Sequence, residues 1–544
     1  MKELRIFVSA VALLASLTIS AQDFKVVVDT SWEPVGEGPF APTVEGLSGF
    51  ECPEWFRDAK FGIWAHWGPQ CQPENGDWYA RNMYMEEGNQ YDHNIELHGH
   101  PSQYGFKEWI HEWKAGNWNP DSLVHFYQQN GARYFFTLAN HHDNFDLYDS
   151  RYQEWNSLNL GPGKDIVGGW EKAARKYGLR FGVSVHASHA WSWYEPSRGH
   201  DTKGPFKDVP YDGWLTKEDG AGTWWEGYDI QDLYEQRHPL SKDNGAWCWE
   251  EDKVTTPDQS YCDKLYNRTV DLYDKYNPDI IYFDDVYLPL WPVSDAGLKI
   301  AAHVYNRSAG ANGGVNQAVI TGKGLTEEQK RTILWDVERG VTDDIQALPW
   351  QTCTCLGSWH YYKWHYYDDE YKSSLQVIRM LVDIVSKNGN LLLSVPLRGD
   401  GTPDPTEVRI VKEIGQWLAV NGEGIYGTRP WKVYGEGPST EAKGKELDTF
   451  GFNEGNEVYV SSDLRFTCKG DKTIFVTVMS DIDGSTVIRS LGRKTGLIGK
   501  SKVRSVQMLG STGKLTWKQT DDALVIEKPS TPGIQGVTVF KVIL

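Results

Sequence analysis

From residue 50 to residue 431 the sequence alternates between short β-rich apolar runs and stretches with helical spacing, and few folds accommodate that pattern. The apolar runs are Phe61-Gly-Ile-Trp-Ala, Tyr134-Phe-Phe-Thr-Leu, Arg180-Phe-Gly-Val-Ser-Val, Ile280-Ile-Tyr-Phe, Gln317-Ala-Val-Ile, Thr332-Ile-Leu-Trp and Leu391-Leu-Leu-Ser-Val. Residues 121–130, 167–176, 263–276, 370–387 and 405–421 read as helices. Alternating β and α units over this length predict an α/β fold, a parallel sheet closed as a TIM-like (β/α) barrel and covered by helices. A doubly wound sheet competes with it, but no G-x-G-x-x-G follows the first strand. Beyond residue 431 short alternating runs are separated by Gly, Asp and Ser turns. They include Glu457-Val-Tyr-Val, Thr473-Ile-Phe-Val-Thr-Val, Lys502-Val-Arg-Ser-Val, Leu524-Val-Ile and the segment from Gly536 to the C-terminus. This style predicts a C-terminal antiparallel β-sandwich. The expected organisation is a signal peptide over residues 1–21, the barrel over 22–431 and the sandwich over 432–544.

The leader has a positive start at Lys2 and Arg5, an apolar run to Ile19, and small residues at Thr18, Ser20 and Ala21. That is the pattern of a cleaved secretory signal, which predicts a secreted or periplasmic protein. No later run reaches the roughly 18 apolar residues of a spanning helix, so no membrane insertion is expected. The 7 cysteines are an odd number, which leaves at least one thiol unpaired within a monomer, and they read as structural. A net charge of −19 argues against a nucleic-acid partner, whose phosphates need a basic surface. The 25 tryptophans point instead toward carbohydrate, because an indole face packs on the C–H face of a sugar ring.

The chemically rich segments each follow a strand, which in a barrel places them on the C-terminal face where active sites are built. The first strand ends in His66-Trp67, a hydrogen-bonding ring beside a stacking ring. Next comes His141-His142-Asp143; adjacent side chains in an extended chain face opposite ways, so one histidine can point inward and the other buttress it. A metal reading of this pair needs a further convergent ligand, and the paired His-x-His of binuclear barrels is absent; no metal and no cofactor is assigned. Tyr282-Phe283-Asp284-Asp285 ends an apolar strand in two carboxylates, of which one is expected to face the site. Leu334-Trp335-Asp336-Val-Glu338-Arg339 supplies an acid and a guanidinium at another strand end, a combination suited to sugar hydroxyls.

Taken in order, these segments resemble glycoside hydrolase family 29, the retaining α-L-fucosidases, over nearly the whole mature chain. Trp55-Phe-x-x-Ala-Lys-Phe-Gly-Ile-Trp-Ala-His66-Trp67-Gly looks like the opening strand of that family. Asp77-Trp78-Tyr79 is similar to its Glu-Trp-Tyr segment, and His141-His142-Asp-Asn-Phe-Asp-Leu-Tyr to its paired-histidine motif. Asn388-Gly-Asn-Leu-Leu-Leu-Ser-Val-Pro and Gly415-Gln-Trp-Leu-Ala-Val-Asn-Gly-Glu-Gly-Ile-Tyr-Gly match its last barrel signatures. The resemblance implies a retaining exo-glycosidase with a carbohydrate substrate. Asp284, two residues after the aromatic Tyr282, takes the nucleophile position. His66, His141 and His142 would bind sugar hydroxyls, Trp78 and Tyr79 would line the pocket with Trp67, and Arg339 would bind nearby. Two positions depart from the family. Asp77 replaces a Glu, and Trp350-Gln351 stands where many members have the acid/base in Trp-Glu; an amide cannot shuttle the proton, so Glu338 is the substitute. The third strand, ending Ser184-Val-His186-Ala-Ser-His189, is more polar than the family pattern, so His186 is a further sugar-binding candidate. That polarity leaves L-galactose, which is L-fucose with a hydroxyl at C6, as an alternative substrate. A non-catalytic sugar-binding relative is the remaining alternative, raised by Gln351.

Overall fold

The computed structural model of the protein describes residues 22–243, 249, 253–441, 451–455 and 457–544. The expected signal at 1–21 and Cys248 lie outside the described residues. The six described cysteines carry free thiols.

Eight strands close a barrel in sequence order: β1 (Phe61–Ala65), β2 (Tyr134–Leu138), β3 (Arg180–Val185), β4 (Ile280–Val286), β5 (Val319–Lys323), β6 (Leu334–Glu338), β7 (Trp350–Cys355) and β8 (Gly389–Ser394). Every neighbouring pair is parallel, and β1 pairs β8 to complete the ring. Most strand residues are buried on both faces, as expected for strands filled inside and covered by helices outside. The first three strands coincide with the runs predicted from the sequence. The fourth, fifth and sixth extend farther toward their C-terminal ends than predicted, which brings Asp284, Lys323 and Glu338 into strand positions. β7 was not anticipated, because Trp-Gln-Thr-Cys-Thr-Cys is too polar to read as a buried strand.

The covering helices start where capping chemistry allows. Asn119, Asp165, Asp258 and Asp404 each accept a backbone N–H of the first turn, and Ser373 with Gln376 forms a capping box before the helix Ser374–Ser386. One close approach sets the barrel interior. A Cβ on Gly62 would lie 2.2 Å from the Tyr134 ring, so glycine there is what lets Tyr134 lie inside.

The C-terminal part has a five-stranded antiparallel sheet, in the order β13–β16–β11–β10–β9, with β9 Arg429–Glu436, β10 Leu464–Lys469, β11 Thr473–Val478, β13 Ser505–Met508 and β16 Thr538–Ile543. A three-stranded sheet of β12 (Thr486–Ile488), β15 (Leu524–Ile526) and β14 (Trp517–Gln519) completes the sandwich, whose own core includes Trp431, Phe466, Val476 and Phe540. Trp431 therefore sits inside β9. The run Glu457-Val-Tyr-Val is irregular rather than a strand. The sandwich docks on the barrel: Phe475, Met479, Val537 and Val539 join the barrel's apolar cluster, and Trp417 Nε1 donates to the Val537 carbonyl at 3.1 Å. Residues 451–454 form a strap across the end of β6. Phe452 N donates to the Glu338 carbonyl at 2.7 Å and Glu454 N to the Arg339 carbonyl at 2.9 Å. Gly451 (φ 114°) pairs with Glu338, and a Cβ there would stand 2.0 Å from the Glu338 oxygen, so only glycine fits. No helix among the described residues is long and apolar enough to cross a membrane.

Candidate active site

The C-terminal ends of the barrel strands gather five imidazoles, two carboxylates and one ammonium. Asp284, near the end of β4, is their centre. His142 Nε2 lies 3.1 Å and His186 Nδ1 3.3 Å from its Oδ2. Lys323 Nζ donates both to Asp284 Oδ1 and to Glu338 Oε2. Because one nitrogen touches an oxygen of each carboxylate, those oxygens are no farther apart than two hydrogen bonds, about 5.6 Å. The side chains of Asp284, Glu338 and Lys323 keep 19%, 13% and 10% of their surface exposed, so the charged trio is sheltered yet reachable from the barrel mouth. Burial pushes the Asp284 carboxyl up, but Lys323 and His186, with a hydrogen bond from His142, hold it well below the usual carboxylate range. It is therefore a carboxylate. Against burial, the two carboxylates hold Lys323 as a cation.

The histidines are sheltered and closely packed. His66 lies 4.6 Å from His360 and 5.2 Å from His141 between ring centroids, and His141 lies 4.6 Å from His186. Burial, then the neighbouring imidazoles, drives His66 and His141 well below the ordinary histidine range, so both are neutral. Hydrogen bonding sets their tautomers. Gln70 Nε2 donates to His141 Nδ1 at 2.9 Å, which leaves the proton on Nε2. His142 Nδ1 donates to the His186 carbonyl at 3.0 Å, since a carbonyl only accepts. The contact from His142 Nε2 to Asp284 then closes only with a second proton between them. Burial, only partly offset by the Asp284 carboxylate, pulls His142 down to about 4, so this second proton is weakly held. Both ring nitrogens of His66 and Nε2 of His360 are buried with no hydrogen-bond partner in the protein, whereas His360 Nδ1 lies 3.6 Å from Asp77 Oδ1. Buried donors and acceptors of this kind are normally paired, so these mark positions for the hydroxyls of a ligand.

Below this layer, Asp285 faces away from Asp284 and takes a hydrogen bond from Ser188 Oγ at 2.7 Å. His189 Nε2 lies 3.2 Å from the Asp285 carboxylate and 3.1 Å from the Asp284 carbonyl. Against the pull of burial, the Asp285 carboxylate holds the His189 imidazole above its ordinary pKa, so a charged pair anchors the backbone that presents Asp284.

The sequence-predicted residues separate into those the cluster holds and those it does not. His66, His141, His142, His186, Asp284 and Glu338 converge there. Tyr282 lies beneath, packed on Trp64 at 5.0 Å, with its hydroxyl 3.6 Å from Cys353 Sγ. Asp77 acts through a loop: its carboxylate accepts the backbone N–H groups of His360 at 2.6 Å and Trp359 at 3.3 Å, holding those rings over His66. Trp78 is partly buried at the start of the helix Tyr79–Asn82, with φ 65°. Three residues are not brought to the cluster. Trp67 is buried and its Nε1 donates to the Arg398 carbonyl at 2.8 Å, because strand alternation sends it opposite to His66. Tyr79 is buried with its hydroxyl on His93 at 2.9 Å. Arg339 turns away from Glu338 and donates through Nε to Glu454 at 2.8 Å. Sequence reasoning missed Lys323, His189, Trp359 and His360. Lys323 leaves a signal as a lysine closing an apolar run, and His189 another in the histidine-rich His186-Ala-Ser-His189. Gln351 lies deeper in the barrel, donating to Asp336 at 2.7 Å and accepting from Tyr134 at 3.1 Å, away from any position that could protonate a substrate.

Two imidazole triads, His66–His141–His360 and His141–His142–His186, bring ligand atoms within 4.8 Å of one another and could hold a zinc-type ion. The surroundings fit a sugar better. The proton on His141 Nε2 makes it a donor rather than a ligand, and the Lys323 ammonium beside both carboxylates repels a dication.

The sequence model of the family described as Alpha-L-fucosidase matches residues 30–423. The chain is similar to the tissue alpha-L-fucosidase of Mus musculus, 26% identical over 498 residues covering 91% of each chain. It is likewise similar to the plasma alpha-L-fucosidase of Homo sapiens, 26% identical over 510 residues covering 90% of this chain and 88% of that one. In fold it resembles the crystal structure of Thermotoga maritima alpha-fucosidase in complex with fucose, with a TM-score of 0.65 at 23% identity over 93% of this chain and 100% of that one.

Proposed function

The chain belongs to the alpha-L-fucosidase family of glycoside hydrolases, and from that premise we propose that it removes terminal α-L-fucose from glycans with retention of configuration. An Asp284 oxygen attacks the anomeric carbon while Glu338, which enters this step protonated rather than as the carboxylate paired with Lys323, gives that proton to the leaving oxygen; the glycosidic bond breaks and a fucosyl ester forms on Asp284. Glu338, now a carboxylate, takes a proton from water, whose oxygen attacks the same carbon and frees Asp284. The observation that carries this reading is Lys323, which touches both carboxylates. The spacing it allows agrees with the roughly 5–5.5 Å of retaining glycosidases and is too short to seat a water between the groups. The open nitrogens of the neutral imidazoles, both of His66 and Nε2 of His360, receive the sugar hydroxyls. Proton NMR of an early time point with an aryl α-L-fucoside tests the mechanism: the α-anomer appears first, and a β-anomer first overturns it.

A second reading concerns C6. His186 lies against Asp284 and stacks on His141, so a polar imidazole stands in the sugar pocket. A polar wall able to bond a 6-hydroxyl favours L-galactose, whereas an apolar one discriminates by only about 10²-fold. Rates on paired aryl α-L-fucoside and α-L-galactoside decide it; faster L-galactoside turnover replaces fucose as the substrate. The leader at residues 1–21 carries the protein out of the cytoplasm, and N-terminal sequencing of exported protein that still begins at Met1 would overturn that assignment.

A further inference from the structure

Most large aromatic side chains of this chain are buried or half-buried, but the short helix Lys363–Asp368 in the loop after β7 turns three outward. Trp364, Tyr366 and Tyr367 are 46%, 40% and 67% exposed. Their rings form one patch, Trp364 lying 5.7 Å and Tyr366 5.5 Å from Tyr367 between centroids. Contiguous exposed aromatic surface is unfavourable unless something covers it. The patch is held in place. Lys363 Nζ lies 5.8 Å from the Trp364 ring and the Arg398 guanidinium 5.9 Å from that of Tyr366. Between them His365 faces inward, hydrogen-bonded to Ser358 Oγ at 2.8 Å, so the helix is anchored by one side and displays the other.

We propose that this helix is a binding platform for the uncharged glycan chain that bears the sugar to be cleaved. The argument is continuity with the active site. The same loop lays Trp359 and His360 over His66, and its base is pinned where Gly76 N donates to the Tyr361 carbonyl and Lys363 N to the Glu74 carbonyl, both at 3.1 Å. Trp364 is four residues beyond His360, so its Cα lies within about 14 Å of that of His360. Tyr367 is three residues farther, within about 25 Å. A chain leaving the pocket past this loop meets ring faces suited to sugar C–H surfaces. Asp368 and Asp369, both exposed, add acceptors for hydroxyls. With Glu370, also exposed, these carboxylates outnumber the cations Lys363 and Arg398 beside the rings, and on a protein of net charge −19 they disfavour a sulfated polymer, which is why an uncharged glycan is the occupant.

The platform rests on the glycosidase reading, and its test separates the two. The double variant Trp364→Ala, Tyr367→Ala touches nothing in the proposed chemistry. It is expected to keep the wild-type kcat/KM on an aryl α-L-fucoside and to lose about tenfold on a fucosylated, unsulfated polysaccharide, mainly through KM. Trp364→Phe should restore most of the loss. An unchanged ratio between the two substrates overturns the platform. So does equal loss on both accompanied by a change of molar mass in light scattering, which would mean that the patch seats a second copy of this chain. If the wild type hydrolyses neither substrate, the glycosidase reading fails alone. Affinity electrophoresis in gels containing the same polysaccharide then decides the platform: retardation of the wild type and not of the variant supports it, and equal mobility overturns it.

Discussion

The barrel holds two buried polar assemblies, one at its mouth and one deeper inside, and they obey opposite rules. In the deeper one, Tyr134 donates to Gln351, Gln351 to Asp336 at 2.7 Å, and Cys353 Sγ to the other Asp336 oxygen at 3.0 Å. Every donor there ends on an acceptor within the protein. At the mouth, both ring nitrogens of His66 and Nε2 of His360 are left unpartnered, and an ammonium separates two carboxylates. A network closed on itself fixes a structure, while one left open awaits a ligand. Amino-acid type does not tell them apart. Asp336 and Asp284 are both strand aspartates in sheltered surroundings, yet burial raises Asp336 to about 7 whereas Lys323 and His186 overcome burial at Asp284 and hold it down.

The contrast can be broken by substitution. The largest effect is expected at the mouth: Asp284→Asn should lower kcat on an aryl α-L-fucoside by about 10⁴-fold or more with little change in thermal midpoint. Near-normal turnover would remove Asp284 from the nucleophile role. Glu338→Ala should cost about 10²–10⁴-fold, and added azide should restore part of the rate by replacing the water step. No rescue on a substrate with a good leaving group would return the acid/base role to another residue. One layer down the signature should invert. Gln351→Ala removes the partner of both Tyr134 and Asp336 and should destabilise the protein by about 2–4 kcal/mol in urea unfolding, with kcat changed less than about threefold. The same layer has a pH signature. With its pKa raised from about 4 in the unfolded chain to about 7 in the folded one, Asp336 binds its proton more tightly when folded. Its stabilising contribution is complete below about pH 4 and is lost as pH rises through about 7, so Asp336→Asn should flatten the fall in urea midpoint between pH 5 and pH 8. The smallest effect is expected from chelation. Dialysis against EDTA should leave kcat/KM within error, and a loss reversed by zinc would turn the imidazole triads into a metal centre.

How much of this was legible in the sequence follows from the pleat of a strand. The barrel, its first three strands and Asp284 could be read because apolar runs and a strand-terminal carboxylate have a period and a position. Neighbours along a strand face opposite ways, however, and a motif does not say which faces in. His66 points to the histidine cluster and Trp67 to the Arg398 carbonyl; Glu338 points to Lys323 and Arg339 to Glu454. Val-His-Ala at the end of the third strand points to His186, but His189, three residues on, gains its role only by meeting Asp285 from another strand. Lys323 was overlooked because the fifth strand was ended three residues short of it. Trp359 and His360 lie on a loop with no periodicity, and only the Asp77 carboxylate, nearly 300 residues earlier, fixes where they go.

The strap at residues 451–454 reaches from the sandwich to the carbonyls of Glu338 and Arg339, while its Glu454 side chain grips Arg339, Thr354 and Lys372. The C-terminal part of the molecule thus braces the backbone that presents Glu338 to Lys323 in the barrel. Such a pair cannot be shuffled freely: a barrel transplanted without its own sandwich would inherit the carboxylate but not its aim. The two modules are bound to descend as one unit, with Gly451 as the joint that any exchange would have to reproduce.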